Sequence, residues 1–220
     1  MAGMGDTTLT GQQVLDAGLA DWRLMVHALQ TRFATRDFAT GLALVQRIAA
    51  VAEEMNHHPD IDLRYAHVDV RLTSHDTGGV TGRDLELARR ASEAAADLGV
   101  AADPGAVTAL ELALDSADHE RVKPFWAALL GYGSSSDDEL SDPGGGLPTL
   151  WFQGTDEHAE PRQRWHLDVW VPHDVAEGRI AAALAAGGTL VSDAAAPSFW
   201  VLADADGNKA CICTWQDRSG

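Results

Sequence analysis

The chain has 220 residues, which is enough for one large domain or for two of ordinary size. With 45 % apolar and 22 % charged residues, its composition excludes a largely disordered chain. The net charge of -17 disfavours phosphate backbones and anionic lipid head groups, so neither nucleic acid nor membrane is an expected partner. The two cysteines, Cys211 and Cys213, are too close in sequence for an ordinary disulfide, which favours a reducing, cytoplasmic location.

The first half of the sequence predicts helices interspersed with strands. Apolar residues recur at helix spacing between Leu42 and Ala52, and they alternate with polar residues between His67 and Thr73. In chain order the predicted elements are a short helix from Thr10, two strands between Trp22 and Phe38, a helix over Phe38–Glu54, a strand over His67–Thr73 and a helix from Thr81 to Leu98. This order predicts an α+β domain whose helices cover one face of an antiparallel sheet.

Residues 101–106 have the composition of a linker, which predicts a first domain over residues 1–100 and a second over residues 107–220. In the second domain the predicted elements are a strand over Val107–Asp115, a helix over Asp118–Leu130, a loop over Gly133–Gly146, strands over Leu147–Gln153 and Arg164–Val171, a helix over Asp174–Ala186, and short strands near Thr189, Phe199 and Ala210. Because a strand, a helix and further strands occur twice, we predict paired βαβββ modules.

Three of the nine histidines lie at predicted ends of elements. Glu53 and His57 share the face of one helix end, and His58 begins the loop that follows. His75 ends the predicted strand, and Asp84 lies in the first turn of the next helix, so these ends can meet at one sheet edge. Each residue alone also suits an ordinary helix terminus or loop. Zinc is a further alternative, although adjacent histidines in an extended chain point apart.

The whole spacing pattern is more specific than any single residue in it. The string Glu53-x3-His57-His58-Pro59-x5-Tyr65-x9-His75-x8-Asp84 resembles the signature of the pterin-4a-carbinolamine dehydratases. The similarity covers about Leu9 to Leu98 and includes the stretch from Val68 to His75. One position departs from the family, which often has tryptophan two residues after the proline, where this sequence has Ile61.

The resemblance implies a hydro-lyase that removes water from the 4a-carbinolamine of a tetrahydropterin. Such a reaction delivers one proton to the leaving hydroxyl and removes another from N5, and imidazole can do either near neutral pH. His58 and His75 are then expected to transfer protons, while His57 positions the pterin ring or shares the acid role. No metal or organic cofactor is expected, and the family implies a homodimer or higher homo-oligomer. The resemblance further implies substrate-site roles for Glu53, which would orient a histidine, and for Ser74, Arg83 and Asp84.

The second half carries motifs at Thr108–Asp115, Phe125-Trp126, Trp165–Val169 and Asp204–Asn208. Together these motifs resemble the vicinal-oxygen-chelate superfamily, nearest its glyoxalase-like members, over about Val107 to Trp215. In metal-using members four strands supply one ligand each, and the resemblance places those positions at Glu111, Gln153, His166 and Cys211. Glutamine and cysteine are poor ligands for a hard metal ion. We therefore expect this half to bind a ligand between tryptophans such as Trp151 and Trp165, without holding a metal tightly.

Two other functions stay open on the sequence alone. One is a non-catalytic binding or dimerisation protein, and the other is a metal-dependent lyase or dioxygenase whose site lies in the second half. The presence of all three histidines favours the dehydratase, because a pure binding module does not require them.

Overall fold

A computed structural model describes residues 7–130, 132–156, 165–185, 187–203 and 209–217. The contacts divide the chain into two compact units. Unit 1 comprises Met1–Val107, Val171–Val175 and Trp215–Gly220, and unit 2 comprises Thr108–Trp170 and Ala176–Thr214. Independent folding of the two predicted domains stays a prediction. The Asp204–Asn208 motif lies outside the described residues.

Unit 1 has the predicted α+β architecture. Its helices are α1 (Gly11–Asp16), α2 (Phe38–Met55) and α3 (Gly82–Asp97). Its strands are β1 (Arg23–Met25), β2 (Ala28–Ala34), β3 (Asp60–Leu63), β4 (Val68–Leu72) and β5 (Ala101–Ala102). Within the described ranges these strands form an antiparallel sheet in the order β1-β2-β4-β3, and β5 pairs with the end of β2.

The two faces of this sheet differ because side chains alternate along each strand. One face packs in an apolar core with α2 and α3, where Phe33 lies with Ile48 and Leu87. The other face is charged: Arg32 of β2 donates to both carboxylate oxygens of Asp69 on β4, at 2.7 and 2.6 Å. The predicted arrangement of helices on one face of the sheet is thus confirmed.

Unit 1 differs from the prediction in two short polar segments. β3 has only four residues and alternates too briefly to predict a strand. Residues 101–106 are not a free linker: β5 pairs with β2, and the backbone N–H of Asp103 donates to the carbonyl of Arg32 at 2.7 Å. Pro104–Ala106 then form a single turn of 3-10 helix. Glycine and proline therefore serve here in tight turns that are packed against a sheet. The role of residues 101–106 as the linker between two domains stays a prediction.

The end of α2 turns the chain toward the histidine pair. Asn56 has φ 48° and ψ 43°, the left-handed conformation that glycine and asparagine adopt most readily. Its backbone N–H and that of His57 both donate to the carbonyl of Ala52. The direction in which the chain leaves α2 therefore depends on this residue.

Replacing Asn56 with alanine is expected to lower the free energy of unfolding by about 1 kcal/mol, because alanine in a left-handed conformation is strained. Asn56→Gly is the matched control and should lower it less, since glycine adopts positive φ without that strain. Urea unfolding of both variants measures the difference. Equal losses would contradict a backbone origin of the effect and point to the asparagine side chain.

Unit 2 consists of the two predicted βαβββ modules. The first contains β6 (Ala109–Ser116), α4 (His119–Leu130), β7 (Gly133–Ser136), β8 (Glu139–Ser141) and β9 (Thr149–Gly154). The second contains β10 (Trp165–Trp170), α5 (Ala176–Ala185), β11 (Thr189–Ser192), β12 (Phe199–Ala203) and β13 (Lys209–Cys213). The loop predicted over Gly133–Gly146 instead includes the β7–β8 hairpin, because exposed serines and glycine show no apolar alternation.

Among the described residues, these strands form one sheet in the order β11-β12-β13-β10-β6-β9-β8-β7. The first strands of the two modules, β6 and β10, are antiparallel neighbours, while β9 and β13 run parallel beside them. Leu114, Leu150 and Phe152 lie on an apolar face that packs against Trp126 of α4. No helix in the described ranges is both long and apolar enough to cross a membrane.

Candidate active site

Three segments of unit 1 carry the predicted site residues. His57 and His58 follow α2, and His75 is the third residue after β4. An isolated pair of backbone contacts between Ser74 and Gly79 closes the turn that presents His75. His57 is buried, whereas His58 and His75 are exposed. The segments thus offer two accessible imidazoles and one imidazole held by the protein.

His57 is held by Asp84 inside unit 1. The Nε2 atom of His57 lies 2.7 Å from Oδ1 of Asp84, and these side chains are 8 % and 0 % exposed. The other oxygen of Asp84 accepts from Ser74 Oγ and from the Thr81 backbone N–H, both at 2.7 Å. Because a carboxylate only accepts hydrogen bonds, this contact favours the tautomer of His57 that carries its proton on Nε2.

The start of α3 explains why Asp84 occupies this position. Thr81 is the N-cap, and its hydroxyl accepts from the Arg83 backbone N–H at 3.2 Å. Asp84 completes a capping box by accepting from the backbone of Thr81. One carboxylate therefore caps α3, holds His57 and binds Ser74, the residue before His75. The three segments converge on Asp84.

His58 pairs with Glu53 at the surface. The His58 Nε2 atom lies 3.1 Å from Glu53 Oε1, with the side chains 53 % and 78 % exposed. Such an exposed pair is weak, so it orients the ring without locking it. Glu53 was predicted to orient a histidine and to share a helix face with His57. The shared face is absent because α2 ends at Met55.

Arg83 contacts the segment that carries His75. Its Nη2 atom donates to both oxygens of Asp76, at 2.7 and 2.9 Å. The hydrogen bond from Arg83 lowers the pKa of Asp76 below its ordinary value. Arg83 therefore ties the His75 turn to the start of α3.

Two of the predicted substrate-site residues are fully buried in this structure. Ser74 and Asp84 are 1 % and 0 % exposed. Their side chains bind each other, and Asp84 binds His57. A direct contact of either residue with substrate stays a prediction. Ile61, which replaces the tryptophan common in the family, is partly buried and packs against the apolar core. Sequence spacing identified these residues but not the direction in which they face.

Comparison with known proteins agrees with this arrangement. The sequence profile of the family described as pterin 4 alpha carbinolamine dehydratase matches residues 7–94. A Thermomicrobium roseum protein that carries the name pterin-4-alpha-carbinolamine dehydratase is 39 % identical over 95 residues, which are 43 % of this chain and 99 % of that protein. The chain belongs to the pterin-4a-carbinolamine dehydratase family.

Two further similarities concern the same dehydratase-family domain. A Nocardia farcinica protein of the same name is 39 % identical over 89 residues, which are 40 % of this chain and 94 % of that protein. The crystal structure of a transcriptional coactivator/pterin dehydratase from Brucella melitensis is 32 % identical, covers 40 % of this chain and 99 % of its own, and has a TM-score of 0.39. The profile of a glyoxalase-like domain matches residues 111–213, in agreement with the glyoxalase-like resemblance of the second half.

In the glyoxalase-like domain, the structure brings only part of the predicted ligand set together. Gln153 is exposed, and Glu111 accepts a hydrogen bond from Trp170 Nε1. His166 and Cys211 do approach each other, and Asp168 joins them, with ligand atoms within 4.8 Å of one another. Asp168 was missed, although its place two residues after His166 on a strand puts both side chains on one face.

The predicted pairing of two tryptophans around a ligand is also corrected. The Trp151 ring lies 5.9 Å from the His166 ring, on the polar face of the sheet. Trp165 instead contacts Trp126 of α4 at 5.1 Å, on the apolar face. Adjacent residues of a strand point to opposite faces, so Trp165 and His166 do not line the same surface.

Proposed function

We propose that unit 1 dehydrates the 4a-carbinolamine of a tetrahydropterin to the quinonoid dihydropterin. The C4a–O bond breaks as the hydroxyl leaves with an added proton. The N5–H bond is lost as the double bond between C4a and N5 forms. The reaction moves two protons and transfers no electrons to an acceptor, so positioned imidazoles supply every catalytic group that it requires.

The hydrogen bond between His57 and Asp84 is the observation that carries this proposal. A histidine that only ends a helix needs no buried carboxylate, whereas a histidine that must present one particular nitrogen does. In the proposed reaction Nδ1 of His57, which carries no proton when Nε2 does, accepts a hydrogen bond from the pterin and so positions the ring. The exposed His58 and His75, on the adjoining segments, deliver and remove the two protons.

A binding protein without catalysis is less well supported by the same contacts. Binding a nearly neutral pterin does not require a buried carboxylate that selects the protonated nitrogen of a histidine. The acidic net charge of -17 is compatible with such a substrate, because a pterin carries little charge.

We also propose a reducing, cytoplasmic setting and a homo-oligomer. The first rests on the spacing of Cys211 and Cys213, which is too short for an ordinary disulfide, and sedimentation of the purified chain tests the second.

The direct test measures quinonoid dihydropterin formation from freshly prepared 4a-carbinolamine. The full chain is expected to accelerate this step well above its uncatalysed rate near neutral pH. Absence of acceleration by correctly folded protein would contradict the dehydratase proposal and favour a binding function.

Treatment with a metal chelator is expected to leave the dehydration rate unchanged, because the proposed proton transfers use imidazoles alone. Elemental analysis of the same sample establishes that metal has been removed. A loss of rate that added metal restores would contradict this prediction. It would instead favour a metal-dependent reaction.

A further inference from the structure

We propose that the glyoxalase-like domain binds a zinc ion through His166, Asp168 and Cys211, a function separate from pterin dehydration. The ligand atoms of these residues lie within 4.8 Å of one another. His166 and Asp168 are two residues apart on β10 and so share a face. Cys211 on β13 is the direct register partner of Asp168. Two neighbouring strands therefore place a nitrogen, an oxygen and a sulfur donor together.

The spacing of the two β10 ligands already suits a metal ion. The Nε2 atom of His166 lies 3.5 Å from Oδ1 of Asp168. Two atoms that are each about 2.1 Å from a tetrahedral zinc ion are roughly 3.4 Å apart. The observed separation is longer than a normal hydrogen bond between charged groups. The separation is therefore compatible with both atoms binding one zinc ion.

Further side chains orient both β10 ligands. Trp151 Nε1 donates to Oδ2 of Asp168 at 3.0 Å, which leaves Oδ1 directed toward His166. On the other side of the imidazole, Nδ1 of His166 lies 3.6 Å from Oδ1 of Asp115. That oxygen is buried and has no hydrogen-bond partner among the described residues. A carboxylate behind the non-ligating nitrogen is typical of metal-binding histidines, so the proposed site explains this buried oxygen.

The charges of the donor set match a divalent ion. A neutral imidazole, a carboxylate and a thiolate carry two negative charges in total. Asp115 and Asp168 are largely buried, with side chains 16 % and 11 % exposed. In the described ranges, both carboxylates lie within ion-pair distance of His166. Thiolate and imidazole favour zinc over magnesium or calcium, which prefer oxygen ligands. Three protein ligands also leave a fourth position open to water or a ligand, as in catalytic zinc sites.

The proposed site replaces the ligand set that the superfamily resemblance implies. Asp168 is not one of the four corresponding positions, whereas Gln153 is exposed and Glu111 accepts from Trp170. The expectation of no tightly bound metal in this domain depended on Gln153 and Cys211, which are poor ligands for a hard metal ion. Zinc accepts thiolate, and with Asp168 beside His166 and Cys211 the donors are those that zinc commonly uses.

The test uses the full chain without an affinity tag, stripped with chelator and titrated with Zn²⁺ and, in parallel, with Co²⁺. We expect one equivalent of zinc per chain and, with cobalt, the near-ultraviolet charge-transfer band of a thiolate ligand. Cys211→Ala should abolish that band and weaken zinc binding at least about 100-fold. Cys213→Ala is the matched control, since Cys213 is a buried cysteine of the same strand outside the cluster, and should change neither.

Two more variants test whether the zinc ion lies in this cluster rather than among the histidines of unit 1. Asp115→Asn should keep the cobalt band and weaken zinc binding by about 10–100-fold, as expected for a group behind a ligand. His57→Ala/His58→Ala should keep both the band and the affinity, because those histidines belong to unit 1. Failure to bind zinc, preference for Mn²⁺, or a band that depends on Cys213 would overturn the proposal. Circular dichroism of each variant establishes that it is folded. Zinc binding, present or absent, does not bear on the dehydratase proposal, which is tested separately by the rate of quinonoid dihydropterin formation.

Discussion

Alanine at His58 or at His75 is expected to slow dehydration by about a hundredfold or more, the usual scale for losing a positioned acid or base. Both histidines are exposed and follow the ends of α2 and β4. Substitutions at such surface positions change stability little, so the loss should appear in the rate rather than in the amount of folded protein. The measurement is the single-turnover rate of quinonoid dihydropterin formation as a function of pH. When this rate is plotted against pH, each variant should lose either the acidic or the alkaline fall of a bell-shaped profile, because one of its two proton-transfer groups is missing.

His67→Ala is the matched control for these two variants. His67 lies at the start of β4 near Asp69, with Nε2 3.9 Å from the carboxylate, and takes no part in the His57 network. Its replacement should leave the dehydration rate within about twofold of the original, as expected for a histidine that transfers no proton in the reaction. Wild-type turnover in both His58→Ala and His75→Ala would show that these histidines are structural and would reject the acid–base proposal.

The regular elements of unit 1 could be predicted because local patterns dictate them. The spacing of apolar residues in α2 and the Thr81–Asp84 capping box can both be recognised in the sequence. β3 and β7 could not be predicted in the same way. Their short polar segments become strands only by pairing with β4 and β8. Such pairing is a tertiary effect that local propensity does not record.

In the candidate active site, spacing identified the residues but not their partners. Glu53 and His57 have the separation of neighbours on a helix, yet Asn56 ends the helix between them in a left-handed conformation. His57 therefore turns inward to Asp84, and Glu53 pairs with His58. The left-handed backbone of Asn56 thus determines that His57 pairs with Asp84 and that His58 pairs with Glu53. The spacing of apolar residues in the sequence gives no information about this φ angle.

In the glyoxalase-like domain, the missing information was strand register. Antiparallel pairing sets Asp168 opposite Glu111, and parallel pairing sets it beside Cys211. A shift of one residue in either pairing would turn Asp168 to the apolar face. The sequence motifs identify candidate ligands. The pairing register of β10 with β6 and β13 is also needed to show which of these side chains lie close together.

Replacing Asp84 with asparagine is expected to slow dehydration by roughly 10²–10⁴-fold while the protein stays folded. The carboxylate accepts from His57, Ser74 and Thr81, but an amide has one accepting oxygen and a donating NH₂ group. If the NH₂ group faces His57, then Nε2 must accept, and the proton moves to Nδ1. The nitrogen available for chemistry then has the wrong protonation.

The same substitution also replaces a charged acceptor by a neutral amide in a buried place, which weakens its hydrogen bonds, so the free energy of unfolding should fall by about 1–3 kcal/mol. Ser74→Ala separates this loss of stability from the effect on the rate. It removes one hydrogen bond to Asp84 but leaves His57 Nε2 protonated, so stability should fall by about 1 kcal/mol with little change in rate. Nitrogen NMR shifts of His57 report the tautomer directly. An Asp84→Asn variant with the original rate and tautomer, or equal rate losses in both variants, would show that Asp84 only supports the fold.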